Sequence, residues 1–159
     1  MLRMTKQTDY GFVLLTRLAL EPEQVVAAPE LAGETRLPVP MVSKILKLLA
    51  RHGLLASHRG VRGGYSLARP ATAVTAAEIL RALEGPVALT VCIDGTPGEC
   101  VREAFCEVRR PWQVINEAVD SALGRVTLAD LARPGGVRLV QLGGAEREPG
   151  RTDLEMATP

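Results

Sequence analysis

The chain has no apolar run of about 18 residues, the length a membrane-spanning helix needs. Its opening, MLRMTKQTDYG, lacks the uninterrupted apolar stretch of a signal peptide. Both absences point to the cytoplasm and away from a membrane partner. Aromatic residues are scarce, 3% of 159, while 47% of residues are hydrophobic, so a core has to be built from Leu, Val, Ile and Ala. The length suits one domain, or a small domain with an appendage. There are three cysteines, and an odd number in a reducing compartment argues against a disulfide framework. No C-x2-4-C knuckle is present, which removes the ordinary zinc finger. No nucleophile–base constellation is present either, so neither an enzyme nor a small-molecule substrate is expected.

One absence is local. Between Arg36 and Arg69 there is no Asp or Glu, yet the segment holds seven Lys or Arg residues and both histidines, His52 and His58. The whole chain carries a formal charge of +1, so this segment's +7 leaves −6 for everything else. Such segregation points to a polyanionic partner, double-stranded DNA first. The plainer alternative is a solvated basic face, and the placement of the charges decides between them.

Thr8 to Leu20 reads as a helix, with Thr8 or Asp9 at its cap and Glu21-Pro22 at its end. Val25 to Ala27 suggests a short strand. Pro29, at a first helical position, opens PELAGETR. A further helix spans Val39 to His52, opened by Pro40 and closed by Gly53. Met41, Val42, Ile45, Leu46, Leu48 and Leu49 are its apolar residues; Ser43, Lys44, Lys47 and Arg51 occupy its other face. Two short helices joined by a tight turn, the second amphipathic and cationic, describe a helix-turn-helix, with Ser43, Lys44 and Lys47 directed at a major groove. A helix hairpin in any bundle shares part of this pattern.

The next segment adds to it. Strand candidates Leu54–His58 and Tyr65–Ala68 flank Arg59-Gly60-Val61-Arg62-Gly63-Gly64. A hairpin directly after a recognition helix is a wing. Arg59 and Arg62 are expected at the minor groove or its phosphates, with Gly63 and Gly64 allowing close backbone approach. A nucleotide-binding loop is disfavoured, because the Gly-Lys-Ser/Thr ending and the strand-to-helix context are missing.

After Pro70, Thr75 to Glu78 forms a capping box for a helix that ends at Leu83-Glu84-Gly85-Pro86, packed through Ile79, Leu80 and Leu83. Pro111 opens a long helix with Ile115, Val119, Ala122, Leu123 and Val126 at helical spacing. That stripe must cover itself, on a second copy of the chain or on its own domain. Thr127 caps a short helix through Leu131, and from Pro134 a Gly-rich polar tail reads as disordered. The expected fold class is therefore mostly α: a winged helix-turn-helix domain with a small β-hairpin wing, plus a long C-terminal dimerisation helix. The expected division is 1–90 for DNA binding, 91–110 for a cysteine loop, 111–133 for dimerisation and a terminal helix, and 134–159 for the tail.

Cys92, Cys100 and Cys106 lie C-x7-C-x5-C in a stretch loosened by Gly95, Pro97 and Gly98. Thiolates suit iron–sulfur clusters, zinc or copper(I), and gaps this wide fit a cluster better than zinc. Open alternatives are a zinc site, a thiol switch, three unliganded cysteines, or a cluster-carrying scaffold whose basic segment meets an acidic protein. Three thiolates leave a cluster one ligand short; Asp94, Glu99, Glu103, Glu107 and Asp9 are the carboxylates available.

Over roughly Met4 to Leu131 the chain resembles the winged-helix iron–sulfur regulators called the Rrf-two family. The residues carrying the likeness are Met4 to Tyr10, Val42-Ser43-Lys44-Ile45-Leu46 through Arg51-His52-Gly53-Leu54, the wing from Arg59 to Tyr65, Leu83 to Val87, and the three cysteines. The resemblance implies a homodimeric transcription factor, usually a repressor, on a near-palindromic operator. It implies a cluster held by Cys92, Cys100 and Cys106, with the 2Fe–2S form preferred over 4Fe–4S. The stretch from Glu84 to Cys92 is most similar to regulators of the suf cluster-assembly genes. Two departures matter. Arg109 stands where IscR-like members carry a ligand histidine, whereas Asp9 matches the aspartate of NsrR-like members and is the preferred fourth ligand. Ser43 stands where IscR-like members carry a glutamate that helps choose the operator.

Overall fold

Helix α1, Lys6–Leu20, packs against later helices of the chain in a computed structural model that describes residues 4–90, 93 and 105–133. Leu14, Leu15 and Leu18 are buried along it. It starts before the predicted Thr8 because Thr5 takes the cap, its Oγ1 accepting from Thr8 N at 3.2 Å. Thr8 is thereby turned inward and fully buried. Helix α2, Ala28–Thr35, begins one residue ahead of Pro29, so the proline is second in the helix rather than first. The expected strand at Val25–Ala27 reduces to a single antiparallel bridge between Val26 and Tyr65.

Helix α3, Val39–Arg51, supplies Val42, Ile45, Leu46 and Leu49 to the core, each fully buried. His52 is its C-cap and Gly53 follows with φ +70°, the left-handed conformation glycine adopts freely. Strands β1, Leu55–His58, and β2, Gly64–Leu67, form the antiparallel wing, each displaced by one residue at one or both ends from its predicted span. After a 3-10 turn at Ala71–Ala73 comes α4, Ala76–Glu84, opened by the predicted Thr75/Glu78 capping box.

Helix α5, Arg109–Gly124, starts two residues before Pro111. A proline third in a helix is tolerated because the first turn's N–H groups have no intrahelical partner. No residue of α5 is buried. The short helix α6, Leu128–Ala132, is instead tied back to the start. Leu128 is fully buried among residues of α1, α3 and α4, its N–H donates to Val74 O at 2.8 Å, and Thr127 and Asp130 form a second capping box. The fold class is the one the sequence implies: mostly helical, with a two-stranded antiparallel wing and a C-terminal helix. Among the described residues no helix is long and apolar enough to cross a membrane.

Gly64 is the tightest point of the wing. A Cβ there would lie 2.4 Å from Val26 O and 2.6 Å from Val26 C, both backbone atoms. Gly64→Ala is expected to cost about 2–3 kcal/mol in urea unfolding. Gly33→Ala, with nothing within 4 Å of the added carbon, is expected to be neutral or stabilising. Equal effects of the two would contradict this packing.

Candidate nucleic-acid interface

Opposite its buried face, α3 exposes Lys44, Lys47 and Arg51, with Ser43 half-buried beside them. The wing tip carries Arg59 and Arg62, both exposed, on a turn closed by Gly63 N donating to Gly60 O at 3.0 Å, with Gly60 at φ +107°. Gly63 and Gly64 serve the wing's own packing. A Cβ on Gly63 would meet His58 O at 2.6 Å, and Gly64 lies against the Val26 backbone. Between α2 and α3, Arg36 closes the turn in the left-handed region, φ 55° and ψ 34°. It is the one non-glycine residue with positive φ among those described.

Their electrostatic surroundings distinguish these cations. Among the described residues, none of Arg36, Lys44, Lys47, Arg51, Arg59 and Arg62 has an ion-pair partner, whereas Arg69 is held by Glu78 at 2.9 Å and leaves the patch. Acidic groups elsewhere are engaged: Glu34 and Glu21 with Arg17, Asp120 with Arg81, Asp130 with Arg133. The positive field over α3 and the wing is thus uncancelled by near neighbours.

Of the predicted metal ligands, Cys106 and Asp9 lie among the described residues. Cys92 and Cys100 lie outside the described residues, as do Asp94, Glu99 and Glu103. Cys106 is a free, half-buried thiol just ahead of α5, its carbonyl accepting from Arg109 N at 3.3 Å. Asp9 is exposed in the first turn of α1 and Glu107 is exposed as well. Among the described residues no three His, Cys, Asp or Glu side chains cluster as a metal site. In donor chemistry, Cys106 and Asp9 remain available as one soft and one hard ligand.

Three contacts that sequence reasoning missed tie together α1, α4, α5 and the segment that follows α4. Glu84 Oε1 accepts from Thr5 N at 2.8 Å and from Thr8 Oγ1 at 2.5 Å, joining the end of α4 to the start of α1 beside Asp9. Arg81 of α4 donates to both Asp120 oxygens of α5, at 2.6 and 2.5 Å. The Asn116 amide brackets the segment leading to Cys92: Nδ2 donates to Val87 O at 2.8 Å, and Oδ1 accepts from Leu89 N at 3.1 Å. The available signal for Asn116 was an amide off the apolar stripe of an amphipathic helix; for the other two pairs, separated by 39 residues or more, there was none.

A helix-turn-helix, a hairpin wing and a run of unopposed cations across both define a winged-helix DNA-binding regulator. The sequence profile of the Rrf2 family, described as iron-dependent transcriptional regulators, matches residues 4–134, and the chain belongs to that family as a transcriptional regulator. It is 32% identical over 134 residues to an HTH-type transcriptional regulator of Mycobacterium tuberculosis H37Rv, covering 82% of this chain and 81% of that one. It is 31% identical over 133 residues to the protein rrf2 of Nitratidesulfovibrio vulgaris, covering 83% and 88%. Among solved structures it is similar to CymR, the global cysteine regulator of B. subtilis, at TM-score 0.64 and 29% identity over 83% of this chain and 97% of that one. It is similar also to T. potens IscR, at TM-score 0.62 and 26% identity over 82% and 85%.

The Thr8 hydroxyl, and then the Thr5 N–H, hold the Glu84 carboxyl below its ordinary value, against a smaller opposing effect of burial. A depressed carboxyl stabilises the fold above its unfolded value, and that share is lost as pH falls through the folded one. Thr8→Val is expected to cost about 1–2 kcal/mol near neutrality. Urea unfolding should show the gap to the native protein narrowing as pH drops below 4.5. A gap independent of pH would contradict the assignment.

Proposed function

We propose that this Rrf2 regulator works in the cytoplasm as a homodimeric repressor on a near-palindromic operator, and that an iron–sulfur cluster on its cysteine loop sets its affinity. The observation that carries the DNA-binding half is the set of six cations on the turn, α3 and the wing that find no acidic partner among the described residues. In this reading α3 enters the major groove. Ser43 addresses a base edge, and Lys44, Lys47 and Arg51 meet phosphates or guanine edges. Arg59 and Arg62, seated by Gly63 and Gly64, reach the adjacent minor groove or its phosphates.

The subunits pair through α5. Within the helix, Trp112, Ile115, Val119 and Ala122 recur at steps of three and four, the spacing of a coiled-coil seam. Ile115 is 46% exposed, so this chain alone leaves part of that apolar face uncovered. A second copy covers it and places the two α3 helices about one DNA turn, roughly 34 Å, apart. Residues 1–90 then form the reader and 91–110 the cysteine loop. Residues 111–133 pair the subunits while returning Leu128 to the reader's core.

Cys92, Cys100 and Cys106 are the proposed ligands of a 2Fe–2S cluster, with Asp9 as the fourth. A bound cluster supplies sensitivity to iron supply and oxidants. The chain's own residues would relay it: Asn116 fixes the segment ahead of Cys92 on α5, and Arg81–Asp120 fixes α5 on α4. The family likeness supports a cluster reading, and the stretch from Glu84 to Cys92 supports suf cluster-assembly genes as targets.

The DNA-binding half is tested by titrating Lys47→Gln against an operator fragment at several salt concentrations. Affinity should fall, and the slope of log K against log salt should flatten by about one unit per subunit. An unchanged slope would remove Lys47 from the phosphate contacts.

A further inference from the structure

Between α3 and the wing lies an open notch of about 310 Å³, lined by Lys47, Ala50, Arg51, Ser57 and Tyr65. Lys47 and Arg51 are one helical turn apart, so both cations reach the same side of α3. Ser57 and Tyr65 are directly opposed across the β1–β2 ladder, which puts both side chains on one face of the hairpin. Tyr65 is held firmly. Its strand is laddered to β1, its N–H donates to Val26 O at 2.9 Å, its carbonyl accepts from Val26 N at 3.0 Å, and its half-buried ring packs against the core. The missing side chain at Gly64 is what lets the Val26 backbone come that close. Packing would be served equally by phenylalanine. Yet the phenol hydroxyl, the Ser57 hydroxyl and both cations have no side-chain partner among the described residues. Two cations and two neutral hydroxyls, with no carboxylate among them, suit a singly charged phosphodiester and its two non-bridging oxygens.

DNA geometry supplies the rest. Adjacent major and minor grooves are separated by one sugar–phosphate strand, so a protein with a helix in one groove and a wing in the next must straddle that strand. We propose that this notch seats one backbone phosphate in each operator half-site, held by Lys47, Arg51, Ser57 and Tyr65. The proposal rests on the DNA-binding reading above and sharpens it: Lys47 and Arg51 are assigned to one phosphate rather than to guanine edges, and Ser57 and Tyr65 become contact residues.

The test uses the full chain as Tyr65→Phe, Ser57→Ala and Lys47→Gln, with duplexes carrying single neutral methylphosphonate linkages stepped across a half-site. Tyr65→Phe should weaken operator and non-operator DNA alike, by about 3- to 10-fold, the worth of one hydrogen bond. Its unfolding midpoint and salt slope should match the native protein, because a neutral donor releases no counterion. At one methylphosphonate position the native protein should lose affinity, and Tyr65→Phe and Ser57→Ala should add no further loss there. If Tyr65→Phe binds like the native protein while Lys47→Gln weakens, the notch is overturned and the DNA-binding reading stands. If neither substitution matters, both fall. A Tyr65→Phe loss confined to the operator would mark a base contact and also overturn the notch.

Discussion

Everything in this molecule depends on the burial of one face of α3. Val42, Ile45, Leu46 and Leu49 are fully buried, and removing each from water contributes about 1.5–3 kcal/mol. That holds in place a surface that gains nothing from its own charges. Lys44, Lys47 and Arg51 repel one another and the arginines of the wing, with no acidic ion-pair partner among the described residues. At physiological ionic strength this repulsion is screened beyond about 8 Å, so the aliphatic packing wins. The result is a fixed array of positive charge whose electrostatic complement is absent from the described part of the chain.

The same core decides how firmly the rest is attached. Helix α6 is bound through the fully buried Leu128 and two backbone hydrogen bonds to the Val74–Ala76 segment, so it belongs to the rigid body. Helix α5, between the cysteine stretch and α6, is held differently. It buries no residue, and its ties include the Arg81–Asp120 ion pair, 47% and 35% exposed, and the Asn116 amide. Exposed ion pairs contribute about 1 kcal/mol or less. A helix attached that lightly is one whose position a ligand on the adjoining loop can reset with modest differential affinity. The rigid part carries the reading surface, and the lightly held part adjoins the proposed sensor.

The helix-turn-helix was legible in the sequence because its information is local. The spacing of Val42, Ile45, Leu46 and Leu49 declares the buried face, and Gly60 and Gly63 declare the wing turn. Thr75/Glu78 and Thr127/Asp130 spell out their own caps. What stayed hidden depends on partners far along the chain. Thr8 looked like a cap and is a buried donor to Glu84, 76 residues away. Arg69 looked like part of the basic patch and is neutralised by Glu78. Ser57 and Tyr65 carry no signal until the hairpin register sets them face to face. Gly63 and Gly64 suggested room for DNA, and the structure uses both to bring backbone against backbone. The cysteines suggest a ligand set by residue type and family likeness; of the three, only Cys106 falls among the described residues.

The central claim is that a preformed DNA-reading surface is governed by a separate cysteine-held cluster. The most direct measurement is operator affinity for three forms of the protein: purified without oxygen, stripped of iron, and with Cys92→Ala, Cys100→Ala and Cys106→Ala combined. The account predicts that the first form differs from the other two and that those two agree. Equal affinity in all three would contradict it.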